Sequence, residues 1–212
     1  NPPPQGVPVR FRPRAPSIFL KSNHINCEMM FLLILALAVL YPAVHILNGW
    51  LFDFATINHH ISLIYLPAFL RLFNLLVLGS IYGTFTTILG GLFLMSNFNE
   101  SLALALFNIA CSATSPLIAL FGFKLYFKRR IELTSLRDLI TLTLIYCICN
   151  SLIHHTAWLF LASTSEFDLQ AASWMFIGDF NGALLGAYLM KAMIDMLEKK
   201  GFNFSGSSQP KN

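Results

Sequence analysis

Two ionisable residues stand where ionisable residues are costly. Asp179 lies in "GDFNGALLGAY" and Arg71 in "PAFLRLFNLL", each inside a run of residues otherwise apolar enough for lipid. On the mildest scale a charge at mid-membrane costs about 2.5–3.5 kcal/mol, so each should face the protein interior and have a partner. An acid and a base at matching depth can neutralise one another, bind a ligand, or report its presence. Acid chemistry of the intramembrane aspartyl-protease kind needs a GxGD motif and a second buried aspartate, because two carboxylates must share a proton. Here Phe176 replaces the first glycine of that motif, and no other aspartate is mid-span. HExxH and GxSxG are absent as well, so the residues argue against an enzyme.

Histidines offer a competing chemistry, since neutral imidazoles bind copper, zinc or haem iron. His45, His59, His60, His154 and His155 all fall toward one end of the expected spans. No two have the i, i+4 spacing that mounts two ligands on one helix face, so no metal and no cofactor is expected. The four cysteines include no CxxC pair, and neither a disulfide framework nor a zinc site is indicated.

The elements that must position these residues follow from composition. Of 212 residues 56% are hydrophobic and 11% charged, and the mean hydropathy is +0.63. That balance belongs to an integral membrane protein. The net charge of +4 does not point to nucleic acid, because Lys and Arg cluster in the flanks of apolar runs and form no basic face. A crossing helix needs about 20 apolar residues, and six runs qualify: 29–47, 61–77, 78–95, 102–123, 139–161 and 171–193. The fold class expected is therefore all-α, a polytopic transmembrane bundle of about six spans occupying 29–197 as one domain. Only Pro67, Arg71 and the turn signal "GSIYG" interrupt 61–95, so one of those two spans could be re-entrant. The first run reads as a signal anchor, its apolar part being long and any small-residue cleavage pattern lying in its middle.

Ahead of it, residues 1–28 are rich in Pro and Arg and lack a hydrophobic period. They read either as a disordered basic leader or as untranslated sequence run through from an upstream stable-RNA gene, with the start at Met29 or Met30. Residues 198–212 read as a short disordered tail. Basic residues orient the bundle. The leader, the loop carrying Lys124, Lys128, Arg129, Arg130 and Arg137, and the tail with Lys191, Lys199, Lys200 and Lys211 fall on one side. Asp53, Glu100, Glu166 and Asp168 fall on the other, with no Lys or Arg. Both termini are thus expected in the cytoplasm of a multi-pass inner-membrane protein.

Residues at i, i+3, i+4 and i+7 share a helix face, and the polar residues of each run align. Pro67, Arg71 and Asn74 form one stripe; Ser80, Thr84, Thr87 and Gly91 a second; Asn108, Ser112 and Ser115 a third. Thr143, Cys147, Asn150 and His154 form a fourth, and Asp179, Gly182, Ala183 and Gly186 a fifth. Counted from the outer ends of their runs, Arg71 and Asp179 come to nearly equal depth, which makes them the expected partners. The expected polar core is Arg71, Asn74, Asn108, Asn150, His154, Asp179 and Asn181. Gly178, Gly182 and Gly186 form a GxxxGxxxG packing face.

The order of these features resembles a known family. The segments "RLFNLLVLGSIYGTFTTILGGLFLMSNF", "LALALFNIACSATSPLIALFGFKLYFKRR" and "LTSLRDLITL", then Trp174 followed by "GDFNGALLGAY", are similar to the first type of membrane-associated sensor domain. That bacterial integral-membrane module stands ahead of histidine kinases and diguanylate cyclases. The likeness runs from about Ile61 to Met193, and Trp174 with Gly178, Asp179 and Gly182 carries most of it. Gly79, Gly83 and Gly90 match its glycine-marked early spans, and Arg137 with Asp138 its loop after the basic cluster. The family usually has more spans and is normally fused to a cytoplasmic output domain, whereas the tail after Met193 is read as too short to fold. What the resemblance implies is a non-catalytic sensory module in the lipid bilayer that senses a small signal and relays it to a cytoplasmic kinase or cyclase. A homo-oligomer through the Gly178/Gly182/Gly186 face is a further expected contact. The alternative is a solute-binding or transport subunit resembling the substrate-binding components of vitamin transporters.

Overall fold

Residues 27–58, 60–95, 101–132, 135–161 and 167–199 are described by the computed structural model. The leader up to residue 26, His59, Glu100, Glu166 and the tail from Lys200 therefore lie outside the described residues. Five helices dominate: α1 (Cys27–Leu51), α2 (Pro67–Leu94), α3 (Leu102–Phe127), α4 (Leu136–Leu161) and α5 (Leu169–Lys199). Between α1 and α2 come a short 3-10 turn (Asp53–Ala55) and a two-stranded antiparallel ribbon, β1 (Thr56–Asn58) with β2 (Ile61–Ser62).

Local chemistry explains where the helices begin and end. Pro67 occupies the first turn of α2, where its missing N–H costs nothing. Ser101 caps α3 by accepting from the Leu104 N–H at 3.3 Å, and Asp168 caps α5 by accepting from the Ala171 N–H at 2.8 Å. Lys128 closes α3 in the left-handed conformation at φ 50. Just beyond it, Arg129 donates twice to Asp138 at 2.5 and 2.6 Å, and the Glu132 N–H adds a third bond to the same carboxylate. Those bonds tie the α3–α4 loop to the first turn of α4, and the hydrogen bonds to Asp138, with its charge, raise the Arg129 guanidinium above its ordinary pKa.

The expectation of six separate spans needs correction, because the runs 61–77 and 78–95 are one element, α2, folded back on itself. Gly79 sits inside it at φ 81, ψ 177, a combination open essentially to glycine alone. The fold-back shows in the contacts: a Cβ at Gly83 would meet the Leu75 Cα at 2.6 Å, and the Asn74 amide donates to the Thr87 hydroxyl at 3.4 Å. In a straight helix those pairs would lie more than a full turn apart. The two arms, 67–78 and 80–94, are about 18 and 22 Å long, shorter than a hydrocarbon core of about 30 Å. The N-terminal boundary also moves, because residues 61–66 are strand and loop, with the helix starting at Pro67.

A Cβ added at Gly79 would meet nothing within 4 Å, so Gly79→Ala tests the backbone conformation without a steric clash. We expect a loss of about 1–3 kcal/mol, seen as a melting temperature in detergent lower by several degrees. An unchanged melting temperature would show that the fold-back tolerates a side chain.

Helices α1, α3 and α5 surround the hairpin, and α4 packs on α3 and α5. The main core lies where α2, α3 and α4 meet, with Leu72, Leu75, Phe123, Leu142 and Tyr146 all buried. Outside, large apolar residues stand bare, among them Phe31, Ile81, Phe121, Leu125, Tyr126, Phe160 and Tyr188. An apolar girdle of that extent marks a lipid-facing surface. Among the described residues four helices have the length and composition of a membrane crossing, Glu28–Leu51, Pro67–Leu94, Leu102–Phe127 and Leu136–Phe160; the second is the folded-back α2, so its length is split between two short arms, and the chain is accordingly a helical membrane protein. The run 171–193 does form helix, within α5, but it is not among the four; Asp179, Asn181 and Lys191 dilute its apolar character.

Candidate functional site

The site begins with the segment 62–69, which lies along one face of α5. A Cβ at Gly178 would strike the Ser62 carbonyl oxygen, one at Gly182 the Tyr65 carbonyl, and one at Gly186 the Phe69 side chain at 2.5 Å. With glycine there, chain meets helix backbone to backbone. The Tyr65 N–H donates to the Gly178 carbonyl at 3.0 Å, and the Asn181 amide donates to the Leu63 carbonyl at 3.0 Å. Non-helical backbone at the edge of a membrane bundle is tolerated where the protein itself satisfies it. The glycine face is thus filled from within the chain, which corrects the expectation that a second copy docks there. Asn181 also moves from the expected polar core to the exposed side of α5, where it clamps this segment.

Docking the segment carries Tyr65 and, one turn into α2, Arg71 to the centre of the bundle. Arg71 is 5% exposed. Its Nε donates to the Tyr41 hydroxyl at 3.0 Å, its Nη2 to the Tyr65 hydroxyl at 3.3 Å, and its Nη1 to the Tyr146 hydroxyl and the Asn150 Oδ1, both at 3.4 Å. The guanidinium also lies 5.2 Å from the Tyr65 ring centre and 5.8 Å from that of Tyr41, close enough for cation–π attraction. Every one of these acceptors is neutral.

The negative charge is one residue further on. Asp179, 2% exposed, accepts from the Asn150 Nδ2 at 2.6 Å. Arg71 and Asp179 therefore do not touch, which corrects the expected direct pair: the Asn150 carboxamide stands between them, its oxygen toward the cation and its NH2 toward the anion. The relay joins three helices, with Arg71 on α2, Asn150 on α4 and Asp179 on α5.

Beside this relay is a cavity of about 290 Å³. Its wall runs from the exposed Asp53, Asn58 and His60, around the α1–α2 connection, down to the buried Arg71, Asn150 and Asp179. Of the expected core residues, Asn108 and His154 also line it. Asn108 accepts from the Trp158 Nε1 at 2.8 Å, and His154 Nε2 lies 3.3 Å from the Ser112 hydroxyl. Asn74 does not line the cavity; it ties the two arms of α2 together, and its Oδ1 is buried without a partner. His45 faces the cavity with Nδ1 3.1 Å from the Tyr65 hydroxyl, whereas His155 is buried outside its lining. Among the described residues no three His, Cys, Asp or Glu side chains converge as metal ligands.

Tyr41, Tyr65 and Tyr146 belong to the site, although their positions in apolar runs gave no polar signal; a hydropathy reading counts the ring and passes over the hydroxyl. What the arrangement can do is recognise charge. The Tyr65 hydroxyl already has His45 Nδ1 at 3.1 Å, so this end of the cavity presents a cation among neutral phenols, with a carboxylate one amide away. No family model matches the chain, and neither a curated protein nor a solved structure matches it.

Proposed function

We propose that the chain is a non-catalytic, receptor-like module of the inner membrane, which binds a small solute from outside and passes the signal to a cytoplasmic kinase or cyclase. The observation that carries this reading is the cavity ending on the Arg71–Asn150–Asp179 relay. Its three members sit on three different helices, so a ligand touching them biases how α2, α4 and α5 pack. That differential contact is what a binding-linked shift requires. The resemblance to membrane-associated sensor domains points the same way.

In the topology proposed, α1, α3, α4 and α5 cross fully while α2 enters and returns on the outer side. Both termini and the Arg129 loop then face the cytoplasm, in keeping with the basic flanks. Reporters fused after Lys200 or within 128–137 are expected to be cytoplasmic, and one between 95 and 101 external. A C-terminal reporter on the external side would overturn this orientation. The relay to an output protein is tested by purifying the tagged chain from native membranes: a kinase or cyclase should accompany it. Recovery of ATPase subunits instead would replace the sensory reading with the transport-subunit alternative, which uses the same cavity.

A further inference from the structure

We propose that the solute is a small zwitterion of the α-amino-acid type, with its carboxylate on Arg71 and its ammonium on Asp179; this rests on the receptor reading above. Asn150 supplies the first reason. Its carboxamide turns an acceptor to Arg71 at 3.4 Å and a donor to Asp179 at 2.6 Å. The two charges are thus separated by one carboxamide and the hydrogen bonds that flank it, and the acceptor-to-donor width they bracket is close to that of the O–C–Cα–N end of an amino acid. An amino acid lying beside Asn150 presents the same polarity in the same sense, with full charges where the amide has partial ones.

Charge balance gives the second reason. Arg71 is the one Lys or Arg among the described lining residues, whereas two carboxylates, Asp53 and Asp179, line the same cavity. Asp53 lies exposed at the mouth, so the buried Arg71 and Asp179 balance one another, and a plain anion or a plain amine would each leave one uncompensated charge at low dielectric. A zwitterion adds no net charge and satisfies both ends. A cavity of about 290 Å³ lies at the small end of ligand pockets, which suits a metabolite of this size.

The third reason is independent of both charges. His154 lines the cavity, is 5% exposed, and its Nδ1 has no hydrogen-bond partner. Buried polar atoms without partners are uncommon in folded proteins. A neutral imidazole nitrogen here can accept from an ammonium or donate to a carboxylate.

The test is thermal unfolding of the full chain in detergent or nanodiscs with the twenty standard L-amino acids. Each amino acid is paired with its des-amino carboxylate and its decarboxylated amine, and a set of uncharged sugars and nucleosides is run alongside. At saturation one or a few amino acids should raise the melting temperature by on the order of 5–10 °C, with their carboxylate and amine counterparts giving little or no shift. In Asp179→Asn the amino acid should lose its advantage over the matched carboxylate. An equal shift from the carboxylate or from the amine would overturn the zwitterion, since one charge would then suffice. If amino acids are silent and an uncharged solute stabilises, the ligand class is wrong and the receptor reading stands. If nothing in the panel stabilises, both fall.

Discussion

Gly182→Ala and Gly178→Ala are each expected to destabilise the protein by about 3 kcal/mol or more, and Gly186→Ala by less, about 1–3 kcal/mol. All three glycines lie on one face of α5, and a helix-propensity argument would make every one of the substitutions favourable. The contacts say otherwise. An added Cβ at Gly178 or Gly182 meets backbone carbonyls, of Ser62 and Tyr65, which belong to a segment held by its own bonds to the Gly178 carbonyl and to Asn181. Nothing there moves without breaking those bonds. At Gly186 the obstacle is the root of the Phe69 side chain, its Cβ and Cγ at 2.5 Å, a shallower overlap than at the two carbonyl oxygens but one that ring rotation does not relieve. The first two substitutions should also weaken ligand binding, since the displaced segment carries Tyr65, whose hydroxyl receives a bond from Arg71. Melting temperatures of the three variants in one detergent give the ranking. Gains at Gly178 and Gly182, as helix propensity alone would give, would mean that α5 and the 62–69 segment are not in contact.

The glycine ladder was legible in the sequence, yet what fills it was not. A GxxxGxxxG face invites close approach by any backbone, and nothing in the spacing distinguishes a second copy of α5 from a loop 118 residues earlier in the chain, the separation between Leu63 and Asn181. The break in α2 was half legible. "GSIYG" marked a turn and left a re-entrant segment open, but the choice between two spans and one folded-back element depends on the φ 81 of Gly79 and on the packing of Asn74 against Thr87. The long apolar helices read more directly: α3 starts at Leu102 as its hydrophobic run does, because length and composition alone suffice for a lipid-facing helix. In the site, Arg71 and Asp179 stood out because charge is conspicuous among apolar residues, and the stripe through Thr143, Cys147, Asn150 and His154 placed Asn150 on the inner face. That it lies between the two charges is a matter of lateral helix position, which side-chain periodicity does not encode.

The order Arg71–Asn150–Asp179 makes the relay testable by mutation. Asp179→Ala leaves the buried guanidinium without its counter-charge and the Asn150 Nδ2 without its acceptor, and is expected to cost about 3–5 kcal/mol, as when one partner of a buried pair is removed. Asn150→Ala removes the link and two charge-assisted hydrogen bonds, with an expected loss of about 3 kcal/mol. Arg71→Met with Asp179→Leu, an apolar replacement of both charges, should recover much of the stability lost in Asp179→Ala while abolishing ligand binding. With the matching single variants Arg71→Met and Asp179→Leu, that double variant gives the coupling between Arg71 and Asp179 by a double-mutant cycle. The amide contributes to that coupling by polarising between the two charges, so repeating the cycle in the Asn150→Ala background should reduce it by about half or more. A coupling that is unchanged without Asn150 would mean that the two charges act on one another through space alone. Losses that simply add with Asn150 in place would mean that Arg71 and Asp179 are not coupled, and the site proposed between them would have to be withdrawn.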